Sequence, residues 1–135
     1  MKKIWIVGGV CLALLLLGFL TFDRDKEKTV PDDKIKIGLM VDSLVIERWQ
    51  KDRDIFISKA KELGAEVIVK NANENAQLQI QQVKDLMSEN VDVIVIIPYD
   101  RESIAPVLRQ AKKEGIHIIA YDRLVQKGDV DVYMS

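Results

Sequence analysis

The sequence predicts an α/β domain, a doubly wound parallel sheet, preceded by one transmembrane helix. Three observations carry this. Short apolar runs alternate with longer amphipathic stretches, and one run, Val93-Ile94-Val95-Ile96-Ile97, has no polar alternation. The first 22 residues hold 16 apolar side chains, Lys2, Lys3 and no acid. A strand that is apolar at every position needs cover on both faces, which helices on the two sides of a parallel sheet supply. A length of 135 residues allows one modest domain beside the apolar segment.

Residues 4–22, IWIVGGVCLALLLLGFLTF, are uncharged. At roughly 1.5 Å per helical residue they span nearly the whole hydrocarbon core of about 30 Å. A cleaved secretory signal should end in small residues, and Leu20, Thr21, Phe22 and Asp23 offer none. Cys11 lies in the middle of the run, where lipid attachment is not expected. The segment therefore reads as an uncleaved signal anchor, with Lys2 and Lys3 keeping the N-terminus cytoplasmic and the rest on the extracytoplasmic side of the cell membrane. Residues 23–34, DRDKEKTVPDDK, are charged, contain Pro31 and lack an apolar period, so they read as a spacer.

Residues 35–135 hold the domain. The first strand runs from Ile35 to Val41. A helix follows from Glu47 to Leu63, with Trp49, Phe56, Ala60 and Leu63 at spacings of seven, four and three and Gly64 as its stop. Glu66–Val69 is the second strand, and Ala76, Ile80, Val83 and Met87 mark one face of the second helix. After the Val91–Ile97 strand, Ser103 is the expected N-cap of a third helix that places Pro106 in its first turn, where the amide would be unpaired anyway. Ile104, Val107, Leu108 and Ala111 then face the sheet. Ile116–Tyr121 is the fourth strand, and Asp131–Ser135 begins a fifth. The phrases KELGAEVIV and KKEGIHIIA each set a glycine between helix and strand, so the repeated unit is a right-handed β-α-β crossover. The expectation is a partial lobe, the front of a longer protein, with an open sheet edge and apolar surface.

Ligands of open parallel sheets collect at the carboxyl ends of the strands. Those positions carry Asp42-Ser43 and Glu47-Arg48-Trp49, Asn71 and Asn73, Pro98-Tyr99-Asp100, and Asp122-Arg123. Guanidinium donors, carboxylate acceptors and an aromatic face suit a neutral polyhydroxylated ligand. Arg48, Trp49, Asp122 and Arg123 are the leading candidates, and Asp42, Ser43 and Asp100 are further ones. Each has a structural counterpart: Glu47–Asp54 as a solvated charged turn, Trp49 as core, Asp100 as a turn cap beside Pro98, Asn71 and Asn73 as strand ends.

Other chemistries lack their residues. The soluble part has no glycine-rich phosphate loop or Walker lysine. One Cys and one His cannot build a four-ligand zinc site or an internal disulfide, and no metal or cofactor is expected. A net charge of -1 and a pI near 5.9 give no reason to expect nucleic acid. There is no G-x-S-x-G elbow, and His117, inside the fourth strand, reads as structural. The chain is therefore not expected to be an enzyme; the alternative would be a pentose-acting enzyme using Asp42, Asp100 and Asp122.

The phrases KIKIGLMVDS, ERWQKDRDIF, VDVIVIIPYD and IIAYDRL resemble the amino-terminal lobe of bacterial D-xylose-binding periplasmic proteins, a branch of the ribose- and galactose-type sugar-binding class. The resemblance covers about residues 34–135. It implies a periplasmic-binding-protein-like fold of type I, a two-lobed clamp closing on one pentose. Arg48, Asp122 and Arg123 would bond its hydroxyls, Trp49 would pack near its ring, and the other lobe would complete the site. The implied partners are D-xylose or a related pentose and an ABC permease or the outer domain of a sugar-sensing histidine kinase. The apparent anchor departs from the pattern, because relatives of this kind are released after signal cleavage. Two rival readings share the fold or its surface: an interaction module that docks a membrane sensor without sugar, and a repressor-type regulator, which would need a helix-turn-helix where this chain has its apolar run.

Overall fold

The computed structural model describes residues 34–135. The anchor expected at 4–22 and the spacer up to residue 33 lie outside the described residues, among which no helix is long and apolar enough to cross a membrane. The elements are β1 (Lys36–Val41), α1 (Glu47–Glu62), β2 (Glu66–Asn71), α2 (Ala76–Ser88), β3 (Val93–Ile96), α3 (Ala105–Lys113), β4 (His117–Tyr121) and β5 (Val132–Met134). They alternate as expected.

The five strands form one sheet in the order β2-β1-β3-β4-β5, and every neighbouring pair is parallel. From β1 the chain steps outward to β2, then crosses back to β3 on the other side of β1. The direction of winding thus reverses between β1 and β3, the place in such sheets where loops diverge and leave a crevice. Register fixes which side chains share a face: Gly38 lies opposite Ile94, Met40 opposite Ile96, and Ile94 and Ile96 opposite Ile118 and Ala120.

Those residues point into the larger core. Met40, Ile94, Ile96, Ile118 and Ala120 are buried against Val83 and Leu86 of α2 and Val107, Leu108 and Ala111 of α3. Complete burial of a leucine such as Leu86 or Leu108 contributes about 1.5–3 kcal/mol. Gly38 permits α2 to approach closely, since a Cβ there would stand 2.5 Å from Leu86 Cδ1. Among the described residues the opposite face carries α1 alone, and its buried cluster is Val41, Trp49 and Ile97, with Leu44 and Tyr121 packed against it.

Three details differ from the sequence reading. Leu63 is 74% exposed because the helical period ends at Glu62 and Leu63 is the C-cap, so it never reaches the face set by Trp49 and Ala60. Ser103 does not cap α3: the helix starts at Ala105 after Ile104, with Pro106 in its first turn. The capping belongs to Asp100, whose Oδ1 accepts the amides of Glu102 at 2.9 Å and Ser103 at 2.8 Å in the preceding turn. His117 is the first residue of β4, as a strand position expects, but its side chain is exposed, with Nδ1 3.8 Å from Asp131 Oδ2.

Candidate functional site

The carboxyl ends of β1, β3 and β4 meet at the winding reversal, and their loops carry most of the charged candidates. Asp42, one residue past β1, is buried, yet its carboxylate is fully partnered. Oδ1 accepts the Ser43 amide at 2.7 Å and Oδ2 accepts Arg123 Nη1 at 2.7 Å. Arg123 Nη1 also reaches the Pro98 carbonyl at 3.3 Å. One guanidinium therefore ties the loop after β1 to the loop after β3 from its own place after β4. Charge-assisted bonds of this kind are the shorter and stronger ones.

The second guanidinium comes from the first turn of α1. Arg48 Nη2 donates to Asp122 Oδ1 at 2.9 Å, its Nε lies 3.6 Å from Asp52 Oδ2, and its Cζ sits 4.5 Å from the centroid of the Trp49 ring. Asp122 Oδ2 in turn is 3.9 Å from Arg123 Nε. Arg48, Asp122, Arg123 and Asp42 thus form one continuous row of alternating charge. The Tyr121 hydroxyl beside Arg48 raises the guanidinium pKa further above its ordinary value, opposed by burial and aided by Asp122.

Asp122 adopts a left-handed backbone, φ 62°, and Arg123 N–H donates to the Tyr121 carbonyl across it at 2.7 Å. This is the hydrogen-bond pattern of a γ-turn with positive φ, a strained form that persists only where the surroundings impose it. The surroundings here are β5: Asp122 N–H donates to the Met134 carbonyl at 2.7 Å and Tyr133 Oη donates to the Asp122 carbonyl at 3.3 Å. Asparagine and aspartate tolerate this region better than most residues.

The other candidates fall in different places. Trp49 is 3% exposed and stands edge-on to Tyr121, with ring centroids 6.2 Å apart, so it underlies Arg48 as part of the small core. Ser43 is buried and its Oγ accepts the Val45 amide at 3.2 Å. The Asp100 carboxylate is engaged in its two capping bonds, which hold its pKa below the ordinary value. Asn71 and Asn73 bond each other at 2.7 Å at the end of β2, and no bond joins their side chains to the charged row among the described residues.

Sequence reasoning missed three contributors. Asp52 was read within a solvated charged turn, although its i, i+4 spacing from Arg48 was a usable signal. Tyr121 ended an apolar strand, and nothing local distinguished its hydroxyl, which donates to Asp52 Oδ2 at 2.8 Å. Gln79 lies on the buried face of α2, where a polar residue needs partners. It finds them in the backbone after β3: Nε2 donates to the Ile97 carbonyl at 3.0 Å and Oε1 accepts the Tyr99 amide at 2.9 Å, fixing the loop whose Pro98 carbonyl receives Arg123.

Comparison with known proteins identifies the chain's relatives. A D-xylose-binding periplasmic protein of Escherichia coli (strain K12) is 48% identical over 130 residues, covering 96% of this chain and 37% of the relative. The protein of the same description from Haemophilus influenzae is 50% identical over 101 residues, covering 75% of this chain and 30% of its own. The chain thus spans about a third of the length of these relatives. Among solved structures, an ABC transporter solute binding protein from Clostridium phytofermentans with bound β-D-glucose superimposes with a TM-score of 0.70 at 33% identity, over 73% of this chain and 31% of that one. Residues 37–135 match the family model described as periplasmic binding protein domain. With a parallel sheet reversing at β1 and β3, a charged row at that reversal and relatives that bind sugars outside the cytoplasm, this chain belongs to the periplasmic sugar-binding protein family.

Proposed function

We propose that this chain supplies one wall of a binding site for D-xylose or a related pentose, with Arg48, Asp122 and Arg123 as its polar surface and the buried Asp42 holding Arg123 from behind. The single observation that carries the reading is the alternating row of guanidinium and carboxylate groups that joins the first turn of α1 to the loops after β1 and β4. A sugar hydroxyl both donates and accepts, so it can give its proton to a carboxylate and take one from a guanidinium at the same time. Hydrogen bonds to charged groups contribute about 1.5–3 kcal/mol each, and groups already held by one another lose little freedom when a ligand joins them. Trp49 supports the row from beneath by holding Arg48 against its ring.

The wider role follows from the relatives' descriptions and the apolar segment. The domain is tethered through residues 4–22 to the cell membrane, on the extracytoplasmic side, and presents the sugar to an ABC permease or to a sensor histidine kinase. Tethering raises the local concentration beside a membrane partner without any new contact.

Titration of the ¹⁵N-labelled chain with D-xylose, D-ribose and D-glucose, followed by NMR, tests the ligand. Shifts at Arg48, Asp122, Arg123 and the Trp49 indole at lower xylose than ribose or glucose concentration are expected. Equal responses to the three sugars, or none, reject the assignment. Fractionation of cells tests the tether: recovery of the chain in the soluble extracytoplasmic fraction, shortened by the length of the apolar segment, would exclude it.

A further inference from the structure

Arg48 is mostly exposed, its side chain at 58% of full accessibility, and a long solvated arginine ordinarily samples many rotamers. Here it is enclosed on several sides. Trp49 lies under it, Asp122 receives Nη2, and Asp52, one helical turn along α1, faces Nε at 3.6 Å. Asp52 is itself fixed from across the sheet, because Tyr121 Oη donates to its Oδ2 at 2.8 Å. Tyr121 belongs to β4 and packs edge-on against Trp49, so the hydroxyl comes from a rigid strand rather than from a loop.

We infer that Asp52 and Tyr121 form a positioning pair that sets the direction of the Arg48 guanidinium toward the sugar, without touching the sugar themselves. The inference rests on the proposed sugar site. The carboxylate supplies an acceptor on the Nε side, so that Nη2 and the Asp122 carboxylate stay in register. The phenol donates to Oδ2, the same oxygen that faces Arg48 Nε, and so holds that oxygen in place beside the guanidinium. Each link is a single hydrogen bond or ion pair, and together they connect α1 to the end of β4 through the arginine that both elements share. A tyrosine hydroxyl donating to a carboxylate is disfavoured from ionising, and Tyr121 has its pKa raised above the ordinary value by that bond first, by burial next, with Arg48 opposing. The phenol therefore keeps its proton, and can donate it to this bond, at neutral pH.

The test uses the full ¹⁵N-labelled chain and two readouts: exchange of the Arg48 Nε–H with water in the free protein, and the D-xylose concentration at half response. Asp52→Asn is expected to speed exchange at Arg48 and raise that concentration about fivefold; Tyr121→Phe should raise it about twofold, with the double variant no worse than Asp52→Asn, since both act through one arginine. Asp52→Glu should restore most of the response, which a merely structural role would not require. Asp54→Asn, at an exposed neighbouring site on α1 paired with Arg53, is the control and should match the wild type. If Asp52→Asn leaves both readouts unchanged while the wild type responds to xylose, the positioning role is overturned and the sugar site stands. If the wild type gives no response to xylose while Arg48 exchange still depends on Asp52, the sugar site is overturned and the inference falls with it.

Discussion

The two faces of the sheet are built to different degrees. On one, α2 and α3 lie side by side over Met40, Ile94, Ile96, Ile118 and Ala120, and all are withdrawn from solvent. On the other, among the described residues, α1 alone covers Val41 and Ile97, leaving a groove of about 310 Å³ lined by Leu39, Val95, Phe56 and Ile55 beside it. Arg48, Asp52 and Tyr121 all stand at the border of the sparse face. The stability of the domain and the geometry of its candidate site are thus held by different halves. The dense face carries the burial, and the sparse one carries the side chains with something left to bind.

Substitutions that separate the halves should follow that order of size. Leu86→Ala empties a fully buried position on the dense face and should lower unfolding free energy by about 3 kcal/mol, measured by urea denaturation. Gly38→Ala drives a methyl into Leu86 and should cost about 2 kcal/mol, but less when combined with Leu86→Ala, because the clash is with that side chain. If the two changes simply add, the close approach of α2 to β1 is not what Gly38 serves. Gln79→Ala orphans the Ile97 carbonyl and the Tyr99 amide and should cost roughly 1–2 kcal/mol while shifting the Arg123 NMR signals, linking the dense face to the site.

Acid should act through Asp100 and Asp131. Backbone amides lower both pKa values, Ser103 foremost for Asp100 and Ile118 for Asp131. A depressed folded-state pKa means that the contribution is present above the ordinary carboxylate value of about 4 and is lost as pH falls below it. The slope of stability against pH in that window should flatten in Asp131→Asn. The smallest effect is expected at Ile55, 69% exposed on the sparse side: Ile55→Ser should change stability by less than about 0.5 kcal/mol. A large loss there would mean that the groove is less open than the comparison holds.

The fold was legible because its signals are local and periodic. The unbroken run at Val93–Ile97, the helical spacing at Ala76–Met87 and the two glycine stops each dictate an element without reference to distant residues. The positional rule for parallel sheets was enough to bring Arg48, Asp122, Arg123 and Asp42 under consideration together, and the structure sets them in one row. Their partners were not legible, because the pairs join residues 74 and 81 positions apart and depend on how side chains aim rather than on where the chain runs. The reading of Asp100 as a turn cap holds, but Ser103 does not cap α3: the turn before α3 competes with the helix for the same amides, and one aspartate satisfies two of them. The buried Trp49 Nε1–H, which has no acceptor among the described residues, gives no sign of itself in the sequence.

The turn at Asp122 takes its shape from the outermost strand, which holds the aspartate's amide and carbonyl through Met134 and Tyr133. Strand and turn consequently behave as one mechanical piece. A pull on the sheet's far edge would be transmitted to the Asp122 carboxylate within a single residue, and any ligand that gripped that carboxylate would stiffen the edge in return.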